Sequence, residues 1–92
     1  MLRITLRKNR DALTFQLEGR LAAPWLRELE ECWQRALVCR RRRIFRVDLT
    51  EVTFIDAAGK AFLATMHRQG AELVAADCVT KEIVAEIRQG SV

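Results

Sequence analysis

The sequence predicts an α/β fold: one domain built on a mixed, mostly parallel sheet, with helices alternating after an N-terminal hairpin. Two runs of strict apolar–polar alternation open the chain, and beyond residue 24 stretches with helical spacing take turns with short runs rich in β-favouring residues. Strands separated by helices imply right-handed crossovers and parallel pairing, whereas two strands joined by a short turn pair antiparallel.

Each element follows in order. Leu2, Ile4 and Leu6 alternate with Arg3, Thr5 and Arg7, and Leu13, Phe15 and Leu17 alternate with Thr14, Gln16 and Glu18. Both runs therefore read as half-exposed strands, with the turn over residues 8–11. Pro24 suits the first turn of the next helix, where an absent amide hydrogen costs nothing, and Leu26, Leu29, Trp33 and Leu37 recur at helical spacing up to an end near Cys39. A strand is expected over residues 45–49. A second helix runs from about Ala57 to Gln69, with Phe62 and Met66 on one side and Gly70 as its C-terminal cap. A strand over residues 72–76 and a helix over residues 80–88, burying Ile83, Val84 and Ile87, complete the chain.

The 92 residues, 50% apolar and 30% charged, suffice for one domain spanning 1–92 whose core needs neither metal nor disulfide. No linker, repeat or low-complexity stretch divides it. Arginines interrupt the first ten residues, so no signal peptide is expected there. No run approaches the ~18 apolar residues of a membrane span, and a cytoplasmic location is the expectation. Cys32, Cys39 and Cys78 lack paired Cys-x-x-Cys spacing and are expected to be reduced. The single histidine, His67, lies on a different helix from Cys32 and Cys39, so neither a metal site nor an activated thiol is expected. Asp48, Glu51 and Asp56 invite grouping as an acid–base cluster, but no nucleophile stands with them and Asp56 is better explained as a helix cap. The chain is thus expected to be no enzyme and to take no cofactor.

A net charge of +4 and the run Arg40, Arg41, Arg42 and Arg43 invite comparison with nucleic-acid binders. The run, however, falls just past the end of the first helix, where cations complement the dipole. No recognition helix and no basic–aromatic interleaving accompany it, so specific nucleic-acid binding is not expected. An acidic patch on a protein partner, or anionic lipid headgroups, would suit this charge better. Trp25, Cys32 and Cys39 form a second line on the first helix, expected at the core margin because tryptophan is usually buried; an exposed Trp25 would mark an interface instead. His67 and Arg68 read as a solvated helix end.

Residues 45–63 carry the most information. Val47, Leu49, Val52, Phe54 and Ile55 supply apolar residues, and Ala57, Ala58, Gly59, Ala61 and Ala64 permit close approach of a following helix. Asp56 sits at the N-cap, where its side chain accepts from early amides and its charge suits the dipole; such an end also welcomes phosphate. This pattern resembles the signature of the STAS domain family, which includes the bacterial anti-sigma-factor antagonists. Leu17, Glu18, Gly19, Arg20 and Leu21 resemble the family's second strand and its Gly-x-Leu turn, and residues 72–77 resemble a later strand, so the resemblance covers nearly the whole chain.

In regulated members of that family a serine follows the aspartate and is phosphorylated by a partner kinase that is also an anti-sigma factor. Here that position is Ala57, Ala58 offers no substitute, and the only serine is Ser91. Thr50 and Thr53 flank the loop and are expected to bond locally to backbone in the turn. Family members often carry an acidic residue after the Gly-x-Leu turn, where this chain has Ala22, and an exposed aliphatic residue after the loop glycine, where it has Lys60. The resemblance therefore implies a non-enzymatic protein-binding module without phosphorylation control at the usual site. Its partner loop and helix start would be Asp56, Ala57, Ala58, Gly59 and Lys60, adjoined by Arg20, Ala22, Thr53 and Trp25, with Lys60 altering the charge offered. The implied partner is an anti-sigma factor or kinase-like regulator. The alternative is an accessory role on the subunits of a membrane transporter.

Overall fold

The computed structural model describes residues 2–38 and 44–90, the side chain of Val79 excepted. The elements run β1 (Leu2–Lys8), β2 (Ala12–Leu21), α1 (Leu26–Val38), β3 (Ile44–Ile55), α2 (Ala57–Arg68), β4 (Glu72–Val74) and α3 (Cys78–Arg88). The four strands form one sheet in the order β1-β2-β3-β4, antiparallel at β1/β2 and parallel at β2/β3 and β3/β4. This is the mixed, mostly parallel α/β sheet that the patterning predicts.

The hairpin turn is built by Asn9, whose side-chain oxygen accepts from the amides of Asp11 at 2.9 Å and Ala12 at 2.7 Å. Alternation then divides the sheet into two faces. Leu13, Phe15 and Leu17 of β2 and Phe45, Val47 and Leu49 of β3 are buried in a single core with residues of all three helices. Trp33 of α1 is fully buried and meets the rings of Phe15 and Phe45 edge-on, at centroid distances of 5.6 and 5.2 Å. Leu63 and Met66 of α2 and Val84 and Ile87 of α3 close the same core. The opposite face is polar, and cross-strand ion pairs such as Arg3–Glu18 and Arg46–Glu72 lie over it.

Several boundaries differ from the sequence reading. Pro24 lies in the turn before α1, after a cis Ala23–Pro24 bond, and the helix begins at Leu26. The strand expected over residues 45–49 extends to Ile55, so the residues read as a turn are paired with β2. Register shifts opposite Glu18 and Gly19, where Gly19 adopts φ 95°, accommodate the break in alternation at Thr50 and Glu51. β4 is shorter than expected, because Asp77 caps α3 by accepting from the Thr80 amide at 2.7 Å and starts that helix at Cys78. Gly70 follows α2 with φ 105°, as its place after the helix end requires.

Trp25 is 38% exposed, not part of the core margin, and Cys32 is half-buried. Cys39 and the arginine run at 40–43 lie outside the described residues. His67, read as part of a solvated helix end, is half-buried with its Nδ1 inaccessible and without a hydrogen-bond partner, whereas Arg68 is exposed and donates to Thr65. Among the described residues no helix is long and apolar enough to cross a membrane.

Candidate functional site

The C-terminal ends of β2 and β3 and the start of α2 come together around Asp56. Its backbone is extended, with ψ −178°, and Oδ1 accepts from the Gly59 amide at 2.7 Å, the geometry of an N-cap. The other carboxylate oxygen accepts from the Ala23 amide at 3.2 Å, and the Asp56 amide itself donates to the Leu21 carbonyl at 3.2 Å. One side chain thus fixes the helix start and ties it to the end of β2. Each of its oxygens accepts from one backbone amide.

Gly59 explains why small residues were needed here. A Cβ at this position would lie 2.2 Å from the Leu21 carbonyl oxygen and 3.1 Å from its carbon, both backbone atoms with little freedom to move. The absent side chain lets α2 sit directly against the end of β2. Ala57 and Ala58, immediately before Gly59, are exposed. No hydroxyl stands at either position.

Around this start the structure gathers some of the expected residues and removes others. Arg20 is exposed and its guanidinium carbon lies 4.8 Å from the centroid of the Phe54 ring, a cation–π contact across paired positions of β2 and β3. Phe54, one of the apolar residues that follow the expected strand, is itself 45% exposed. Trp25, exposed in the turn after β2, donates its amide to the Ala22 carbonyl at 2.9 Å. Ala22 is buried and offers no contact surface.

Thr53 is exposed, but its hydroxyl donates to the Gly19 carbonyl on β2 at 3.2 Å, a cross-strand bond rather than the local turn bond expected. Thr50 is also exposed; its amide donates locally to Asp48 at 2.9 Å. Lys60 is not a free cation. Its ammonium pairs with Glu86 of α3, so the charge expected to face a partner is already matched within the fold. Asp48 is likewise used by the Thr50 amide.

The feature that sequence reasoning missed is the exposed aromatic surface of Phe54. Phenylalanine in an apolar run ordinarily signals burial, whereas Phe54 is paired with Arg20 of β2 and its exposed ring lies against that guanidinium.

No protein-family model matches the chain, and no curated protein matches it in sequence. Among solved structures, an uncharacterized protein of the DUF3478 family from Shewanella loihica PV-4, described as having a SpoIIAA-like fold, superposes with a TM-score of 0.61 at 15% identity, covering 92% of this chain and 77% of that one. At that identity the likeness speaks for the fold alone. The chain has a SpoIIAA-like, and therefore STAS-like, α/β fold.

Proposed function

We propose that the chain is a non-enzymatic protein-binding regulatory module of the anti-sigma-factor-antagonist kind, acting through the start of α2 without phosphorylation control there. The observation that carries this reading is the helix start itself. Ala57 and Ala58 are exposed and lack a hydroxyl, and Asp56 beside them accepts from two backbone amides. Such a surface has shape and apolar area to offer, and no reactive group. Phe54 and Trp25 add the exposed aromatic area that protein interfaces favour, and Arg20 adds a cation braced on Phe54.

The mechanism is competition. A regulator held by this surface releases whatever it had sequestered, and the release persists because no phosphate can be attached to Ala57 to end it. A phosphorylated serine in its place would bring roughly −1.5 to −2 charges and break an apolar contact by desolvation. Lys60 contributes to the shape of the surface through its pairing with Glu86, not as a separate charge.

The test is affinity capture from source-cell lysate on wild-type protein and on an Ala57→Ser variant, each with and without ATP. A kinase-like regulator should be retained by both proteins, and ATP should release it from the serine variant only. Transporter subunits retained by both proteins irrespective of ATP would establish the accessory-subunit role instead. Phosphate on Thr50 or Thr53 of the wild type, with release of the partner, would contradict the absence of control.

A further inference from the structure

A second surface lies on the flank of the sheet formed by β4 and α3. β4 is an edge strand, paired with β3 on one side only, and between it and α3 runs an open groove of about 680 Å³. Leu73 and Val84, both nearly inaccessible, lie at its apolar base, and the more exposed Val74 and Ala85 are also among its lining residues. Its polar rim has one sign. Lys81 and Arg88 stand at i and i+7 on the face of α3 that lines the groove, and no carboxylate is among the described residues lining it. Glu86 lies on a different face of the helix, where it meets Lys60.

Arg88 has a particular position in this arrangement. Its guanidinium donates to the Leu73 carbonyl at 3.0 Å, so a backbone acceptor of the edge strand is satisfied by a side chain rather than by another strand. An edge strand whose acceptor is covered in this way is protected from indiscriminate pairing. The cover is exchangeable, since a carboxylate offers a guanidinium a stronger, charge-assisted partner than a peptide carbonyl does. A segment bearing that carboxylate would draw Arg88 away and free the Leu73 carbonyl for one of its own amides.

We propose that this groove receives a short acidic peptide segment in extended conformation, laid alongside β4 with alternate aliphatic side chains on the Leu73–Val84 base and carboxylates against Lys81 and Arg88. Backbone pairing supplies affinity in this mode of recognition, and the pockets for alternate side chains supply selectivity. The surface is separate from the start of α2, and the inference does not rest on the function proposed for that site.

A random-peptide display library selected on the immobilised full chain at low salt tests it. Selected peptides should carry aspartate or glutamate alternating with aliphatic residues. On titration into isotope-labelled protein, a selected peptide should shift the amides of Leu73, Val74 and Ala75 together with those of Lys81, Ala85 and Arg88. Replacing exposed Lys81, as Lys81→Glu, should weaken binding about tenfold or more, and a lysine-bearing counterpart of the peptide should recover it. Arg88→Glu also removes a bond within the fold, so Lys81→Glu is the deciding variant. Selection without acidic preference, no selected peptide, shifts confined to the start of α2, or unchanged affinity in Lys81→Glu would each overturn the proposal.

Discussion

Gly59 and Asp56 do different work at the same corner, and single substitutions separate them. In Gly59→Ala the new methyl would lie 2.2 Å from a backbone oxygen, so α2 must move off β2. Overpacking of this kind costs about 1–3 kcal/mol, which urea denaturation should register as a lower midpoint. Asp56→Ala removes the cap on Gly59 and the tie to Ala23, an expected loss of about 1–2 kcal/mol. Asp56→Asn should recover only part of this: its amide oxygen can still accept from Gly59, but its amino group meets another donor at Ala23. Full recovery by asparagine would show that the Ala23 bond contributes nothing. The cap at Asp56 was legible from sequence because aspartate before small residues and a helical run has few other uses. The matching cap at Asp77 was not, since Ala75 and Ala76 before it continue an apolar strand pattern and its bond to the Thr80 amide leaves no mark in spacing.

At the scale of elements, α1 and α3 both pack on the one core, and each adds a polar tie to α2. Trp33 packs between Phe15 and Phe45 and donates its indole N–H to the Gln69 side chain at 2.6 Å, which joins α1 to the end of α2 as well as to the sheet. Trp33→Ala should cost about 3–5 kcal/mol, whereas Trp33→Phe should cost less because most of the packing remains and exposed Gln69 regains water. The Lys60–Glu86 pair joining α2 to α3 is partly exposed, with side-chain accessibilities of 32% and 44%. A double-mutant cycle with Lys60→Met and Glu86→Gln should give a coupling of about 1 kcal/mol or less, shrinking further as salt is raised. The helices and the hairpin could be read from the sequence because their periodicities are carried by the side chains themselves. The extension of β3 to Ile55 could not, because Thr50, Glu51 and Thr53 break the alternation and only the shifted pairing with β2 makes room for them. The Lys60–Glu86 pair, 26 residues apart in the chain, is likewise a product of tertiary packing.

For the whole molecule, the sheet order places the α2 start at one end of the sheet and the cationic β4–α3 groove along an edge, so one small domain offers two distinct surfaces. The Asp56 cap and the start of α2, where the first surface is proposed, were legible in residues 56–60. Its composition was not: Ala22 faces inward, Lys60 is paired, and Phe54 and Trp25 supply exposed area that burial tendencies alone would have hidden. The central claim is that a protein partner is held at the exposed helix start. Its most direct test is a calorimetric titration of the purified captured partner into wild-type protein and an Ala57→Arg variant, whose unchanged unfolding midpoint is established first. A bulky cation at this exposed position should weaken binding by about a hundredfold, since the contact would then have to bury an unpaired charge. Equal affinity for the two proteins would place the partner elsewhere on the molecule and contradict the account.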